Sequence, residues 1–157
     1  MRGIFRRATI GAALIAATAG GLTFAAAGPA SAANWGCSGT EVSGSPYAVT
    51  NESGTVYSYA HLYYDSASGQ NCAVNVKTGS MYGVASYTQI DLYECAEDTP
   101  GTCTPLEVDP DVSVNYKYYA GPVSVPGRGH CVHLYAETDN AARTSVATYD
   151  SAVGYHC

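Results

Sequence analysis

The sequence predicts an all-β fold: a single small antiparallel β-sandwich or barrel-like domain stapled by three disulfides. Three observations predict it. Beyond residue 32 the aliphatic residues are mostly valine, with leucine only at 62, 92, 106 and 134 and isoleucine only at 90, while all fourteen tyrosines remain. Valine and tyrosine favour pleated, half-buried surfaces and are poor helix formers. Short alternating runs are separated by Gly-, Pro- and Asp-containing turns, the spacing of a sandwich or barrel. All six cysteines also lie beyond residue 32, an even and fully pairable set.

The first 32 residues read as a cleaved secretory signal. Arg2, Arg6 and Arg7 form a positive start, an Ala/Leu/Ile/Gly-rich run follows from Ala8, and Ala30-Ser31-Ala32 is an A-x-A cleavage site. The mature chain is then residues 33–157, one domain by its length. The localisation expected is secreted, extracellular or spore- and cell-surface associated. Export to an oxidising compartment is also where disulfides persist. The mature part keeps four basic residues (Lys77, Lys117, Arg128, Arg143) against thirteen acidic ones, a net charge of −9. An acidic chain without a basic stripe is not expected to bind nucleic acid. No stable membrane insertion is expected after signal cleavage.

The elements follow in order. Thr55–Tyr64 alternates Val56, Ser58, Ala60, Leu62 and Tyr64 on one face with Tyr57, Tyr59, His61 and Tyr63 on the other. Asp65–Gly69 is a turn ending in a glycine suited to positive φ, and Asn71–Lys77 returns with Cys72, Val74 and Val76 on one face. A third strand runs from about Val84 to Cys95. The acidic stretch Glu94–Asp111 reads as a solvated loop. Val112–Tyr119 and Val123–Val125 flank Ala120-Gly121-Pro122, read as a bend or bulge in one long strand. Cys131–Glu137 and Ser145–Asp150 are the last two clear strands, separated by a loop at 138–143.

Cys95 and Cys103 enclose Pro100-Gly101 and are close enough to form a local bridge. The other four cysteines allow three pairings. The favoured one joins Cys37 to Cys72, tying an N-terminal arm to the first hairpin, and Cys131 to Cys157, tying the tail to its neighbouring strand. Loops of these sizes contribute roughly 2.5 to 4 kcal/mol each in the chain-entropy model. With every thiol paired, no catalytic cysteine is left over.

Catalytic residues, cofactors and metal ligands are not expected. On a strand, His130 and His133 point to opposite faces, with Cys131 in a disulfide between them, so His130-Cys131-Val132-His133 is a poor metal site. Asp109-Pro110-Asp111 lacks the Gly turn and closing Glu of a calcium loop. A nucleophile elbow is missing from the sequence, and His61, His130, His133 and His156 sit in no triad context. Glu41, Glu52, Glu94 and Glu137 would supply a glycosidase pair only if folding placed two across a cleft. Asn51-Glu52-Ser53 matches a glycosylation sequon, a weak pattern. Tyr57, Tyr59 and Tyr63 share a strand face and are the candidate binding face, since tyrosine offers apolar area with a polar tip. The competing reading, that these tyrosines replace phenylalanine in a small core, carries more weight.

Thr55-Val56-Tyr57, Gly69-Gln70-Asn71-Cys72-Ala73-Val74, and above all Tyr118-Tyr119-Ala120-Gly121-Pro122-Val123 followed by Cys131-Val132 resemble the spore-associated protein A family, small secreted proteins of filamentous actinobacteria. The resemblance spans about residues 37–157. It implies an exported, non-enzymatic β protein found with spores or aerial growth, and it carries no catalytic residues. The Cys95/Cys103 loop is an addition to the family pattern. The expected function is a surface-associated binding or structural module whose partner is a cell-wall or spore-surface polymer or another secreted protein. The rival expectation is a small secreted hydrolase, or a protein inhibitor using the Cys95–Cys103 loop.

Overall fold

The computed structural model describes residues 34–151 and 153–157. The expected secretory signal, residues 1–32, and its expected cleavage point lie outside the described residues.

The strands are β1 (Thr40–Glu41), β2 (Tyr47–Asn51), β3 (Val56–Asp65), β4 (Gln70–Lys77), β5 (Ser86–Cys95), β6 (Pro105–Tyr116), β7 (Tyr119–Pro126), β8 (Val132–Asp139) and β9 (Val146–Asp150). A single 3-10 turn at Gly79–Met81 precedes β5. The strands form one antiparallel sheet in the order β6-β5-β8-β9-β2-β3-β4-β7, with β1 added against β3. The sheet curls until its two ends meet, giving a nearly closed barrel.

The expected β3–β4 hairpin is present, paired from Ser58↔Lys77 to Asp65↔Gln70. Gly69 takes φ +76° at its turn, and its N–H donates to the Asp65 carbonyl at 2.7 Å. Alternation places Leu62, Ala60 and Ser58 inside the barrel with Ala73, Asn75 and Lys77 opposite. The interior is completed by Val49, Ile90, Leu92, Val125 and Leu134. A second, smaller cluster lies outside the β3–β4 wall, where Trp35 and Cys37 of the N-terminal arm cover Tyr63, Cys72 and Val74.

Two expectations are corrected. The stretch 94–111 is not all loop, because its second half is the start of β6. Its alternation is inverted, which hides it: Leu106, Val108, Val112 and Val114 face solvent, while Asp109 and Asp111 lie opposite Leu92 and Ile90. Residues 112–125 are also not one bent strand. The chain reverses at Lys117–Tyr118, and β7 runs back to pair with β4. The expected bulge does occur, within β7, where pairing to β4 shifts between Ala73 and Asn75. Gly121 has φ +100° there, and a Cβ would stand 2.9 Å from the Ala73 carbonyl oxygen, so only glycine fits.

The seam between β6 and β7 is joined by side chains. Asp111 Oδ2 accepts the Gly121 N–H at 2.6 Å and Asp109 Oδ2 accepts the Ser124 N–H at 2.8 Å. Inward-pointing carboxylates and Pro110 make β6 a poor template for a further strand.

Polar groups also cross the interior. Asn75 Nδ2 donates to the carbonyls of Gln89 (2.9 Å) and Glu137 (3.0 Å), linking β4 to β5 and β8. Lys77, nearly fully buried, donates its three ammonium protons to Val84 O, Ser86 Oγ and Tyr116 O at 2.7–2.8 Å. Nothing in the run Asn71–Lys77 marks either residue as a polar link across an interior.

All six cysteines are bonded in the favoured pattern, Cys37–Cys72, Cys95–Cys103 and Cys131–Cys157.

Candidate functional site

The sequence-predicted tyrosine face does not form as a unit. Tyr57 is 9% exposed and Tyr63 3%, whereas Tyr59 is 36% exposed. Tyr57 packs on the main core, and its hydroxyl donates to Ser145 Oγ at 3.0 Å and accepts from Asn51 Nδ2 at 3.2 Å. Tyr63 lies under the arm that Cys37 ties down. Burial, then the nearby Glu41 carboxylate, pushes its hydroxyl up to about 12. The core reading therefore holds for Tyr57 and Tyr63, and Tyr59 alone remains on the surface.

Tyr59 lies in register beside a different aromatic group. It pairs across the sheet with Val76, which pairs in turn with Tyr119. Trp35, Val76, Tyr82, Tyr118 and Tyr119 line a depression of about 200 Å³. Tyr82, Tyr118 and Tyr119 are 60%, 49% and 40% exposed. A second depression of about 310 Å³ is lined by Tyr116, Lys117, Tyr118, Tyr119 and Gly121. Tyr118 and Tyr119 are common to both, so the two hollows adjoin along one aromatic wall.

Local structure holds this wall. The Lys77 N–H donates to the Tyr118 carbonyl and the Gly83 N–H to the Lys117 carbonyl, both at 2.8 Å, so the β6–β7 reversal is strapped to the segment after β4. Tyr82 then meets Tyr118 edge-on with centroids 5.1 Å apart. Trp35 is supported from behind by His61 at 4.6 Å. His61 Nδ1 is 2.7 Å from Glu41 Oε1. Tyr116, beneath the second hollow, donates to Asp111 Oδ1 at 2.6 Å, and this bond, with burial, pushes its hydroxyl up to about 12.

The remaining candidates are dispersed. His133 Nε2 lies 3.1 Å from Asp150 Oδ1, while His130 Nδ1 bonds the Cys95 carbonyl at 2.9 Å. Glu52 is exposed in a turn. Glu94 lies 3.9 Å from His130 Nε2. Glu137 accepts from Tyr135 at 2.5 Å on the outer face of the β5–β8 pair. On the same face Asp91 accepts from Gln89 at 2.6 Å, and burial pushes its carboxyl up. These carboxylates stand on the outside of a sheet, engaged by neighbouring side chains. Asn51, the sequon residue, is likewise occupied: Oδ1 accepts from Ser53 N and Thr55 N. Among the described residues, no group of three or more His, Cys, Asp or Glu side chains is arranged to hold a metal.

The Cys95–Cys103 loop is braced twice more. Glu97 accepts from Thr104 N and Oγ1 at 2.8 and 2.7 Å, and Gly101 exchanges two backbone hydrogen bonds with Gly154. Asp98, Thr99 and Pro100 are left exposed at its tip.

Chemically, the aromatic wall offers ring faces for stacking and hydroxyl tips for hydrogen bonds. Sequence reasoning missed Trp35, Tyr82, Tyr118 and Tyr119 as a group because three separate segments supply them. The one signal available was the Tyr118-Tyr119 pair itself. No family model matches this chain, and neither a curated protein nor a solved structure gives a significant match.

Proposed function

We propose that this protein is a secreted, non-enzymatic, surface-associated binding module that holds a neutral polysaccharide chain against its aromatic wall. The observation that carries the reading is the pair of adjoining hollows sharing Tyr118 and Tyr119. Two adjoining hollows suit consecutive units of a polymer better than one compact ligand. Sugar rings present apolar faces that stack on aromatic rings and hydroxyls that reach tyrosine tips. The net charge of −9 on the mature chain favours a neutral polymer over an anionic one.

Three disulfides are compatible with an extracellular protein. Among the described residues no helix is long and apolar enough to cross a membrane. Placement on spores or cell walls rests on the family resemblance of the Tyr118–Val123 segment and on the aromatic wall.

The test is co-sedimentation of the mature protein with insoluble neutral polysaccharides and with purified spore walls. Retention that is competed by soluble oligosaccharide is expected. Covalent labelling by a hydrolase-directed probe would overturn the reading.

A second reading has its own support. The exposed tip Asp98–Pro100, braced by a disulfide and by Gly154, is the form in which a protein inhibitor presents a loop to a protease. Resistance of that loop to cleavage, together with saturable inhibition of a secreted protease, would favour it.

A further inference from the structure

The outer face of β6, β5 and β8 carries a second surface, and β6 supplies its apolar ridge. Every outward position of β6 is apolar, in the order Leu106, Val108, Pro110, Val112 and Val114. The four aliphatic side chains are 46–57% exposed. Single exposed valines are ordinary, but an unbroken apolar row marks an interaction surface. At the rise of a strand the ridge is roughly 25 Å long.

Register lays a polar strip beside the ridge. Val108, Pro110 and Val112 pair with Tyr93, Asp91 and Gln89 of β5, which pair in turn with His133, Tyr135 and Glu137 of β8. The hydroxyl protons of this strip are spent on its own acceptors. Tyr87 donates to Gln89 Oε1, Tyr93 to Asp91 Oδ2 at 3.5 Å, and Tyr135 to Glu137 Oε2 at 2.5 Å. Asp91 is buried and serves only within the strip. Glu137 is partly exposed, and a carboxylate with one bond in place keeps further acceptor sites. A partner therefore meets tyrosine rings and a negative acceptor, and has to bring donors.

The molecule already places one cation on this strip. The Arg143 guanidinium carbon lies 4.8 Å from the centroid of the Tyr87 ring, and its Nε donates to Asp139 Oδ2 at 2.9 Å. Tyr135 and Glu137 present the same two groups further along the same face. A planar guanidinium that stacks on a ring and bonds a carboxylate suits arginine above lysine.

Charge and geometry select the occupant. At −9 on the mature chain, a second copy and an anionic membrane are both repelled. The free edge of β6 is turned into the seam with β7 and interrupted by Pro110, so a partner lies across the face instead of pairing at the edge. One narrow ridge flanked by an acidic strip suits the apolar stripe and basic flank of a single helix.

We infer that this face docks a basic amphipathic helix of a partner protein, its apolar stripe on the Leu106–Val114 ridge and an arginine stacked on Tyr135 and bonded to Glu137. The inference does not rest on the aromatic wall, with which this face shares no residue.

The probe is a synthetic amphipathic helix of leucine, alanine and arginine, about 18 residues long to match the ridge. It is titrated into ¹⁵N-labelled mature protein, beside a control peptide with glutamate in place of every arginine. Saturable shifts of the Val108, Val112, Tyr135 and Glu137 amides are expected with the arginine peptide and not with the glutamate peptide. Val108→Thr/Val112→Thr keeps two exposed β formers and should weaken binding about tenfold or more, the scale of a lost interface anchor. Glu137→Gln still accepts from Tyr135 and should weaken binding about threefold, with a shallower salt dependence. Shifts confined to other parts of the barrel, equal responses to the two peptides, or undiminished affinity in the valine variant would overturn the inference. So would concentration-dependent shifts at the same amides without peptide, which would assign the face to a second copy. The wild-type titration decides the matter alone if a variant does not fold. Loss of polysaccharide retention in a Tyr118 or Tyr119 variant leaves this result untouched.

Discussion

Asp111 on β6 accepts the backbone N–H of Gly121 on β7 at 2.6 Å, across the one place where the barrel's two end strands meet without a backbone ladder. The same carboxylate takes the Tyr116 hydroxyl on its other oxygen. One side chain thus joins barrel closure to the residue beneath the aromatic wall. Asp111→Ala removes both acceptors and leaves the Gly121 N–H unpaired, a loss of about 1–3 kcal/mol for each buried group so orphaned. Urea unfolding should show that loss, with hydrogen exchange at Gly121 and Ser124 accelerated more than at Val74. Unchanged exchange at the seam would show that Asp111 does not hold it shut.

Lys77 supplies a pH signature. Burial lowers its ammonium from 10.5 to about 8. Between these values the unfolded chain binds more protons than the folded one, so stability attributable to Lys77 rises with pH over this window. Stability measured from pH 8 to 9.5 should rise in the wild type, and Lys77→Met should abolish the rise. That variant should also be less stable at pH 7 by about 1–3 kcal/mol, because its three acceptors lose their donor. An identical pH slope in both proteins would contradict the assignment.

Above pH 10 the sign reverses. Tyr63 and Tyr116 are each raised to about 12, the first mainly by burial and the second mainly by its bond to Asp111. Their neutral forms favour the fold, and this contribution is fully present below the unfolded value near 10 and lost as pH rises towards 12. Denaturant midpoints should fall steeply from pH 10 to 12. Tyr116→Phe should flatten part of that fall; an unchanged profile would show that Tyr116 ionises as freely in the fold as in the unfolded chain.

The bridges separate stability from binding. In the chain-entropy model the loop closed by Cys95–Cys103 contributes roughly 2.5 kcal/mol and that closed by Cys37–Cys72 roughly 4 kcal/mol. Replacing Cys37 and Cys72 together by alanine should also release Trp35 and weaken polymer retention. The paired replacement of Cys95 and Cys103 should leave retention unchanged. Equal effects of the two pairs on retention would remove the arm from the site.

How much the sequence discloses depends on how local the cause is. The β3–β4 hairpin is legible because its alternation and its Asp65–Gly69 turn are contiguous, and the cysteine pairing is legible because only a few arrangements keep neighbours together. The start of β6 is not, because a seam strand turns its carboxylates inward and its valines outward, inverting the usual pattern. The reversal at Lys117–Tyr118 carries neither glycine nor proline. Tyr57, Tyr59 and Tyr63 share one strand face, and their fates diverge for distant reasons: Tyr57 meets Asn51 and Ser145, Tyr63 is roofed by the Cys37 arm, and Tyr59 meets neither. The aromatic wall draws on residues 35, 76, 82, 118 and 119, and only the closed barrel brings them together.

The most direct test of the account is retention of the Tyr118→Ala/Tyr119→Ala protein on an insoluble neutral polysaccharide, measured as a binding isotherm beside the wild type. Both side chains are about half exposed, so the double variant should stay folded, each change costing about 1 kcal/mol of stability. The account predicts saturable wild-type binding and at least a tenfold loss of affinity in the variant, about 1.4 kcal/mol. Equal isotherms for the two proteins, or a wild type that is not retained at all, would contradict it.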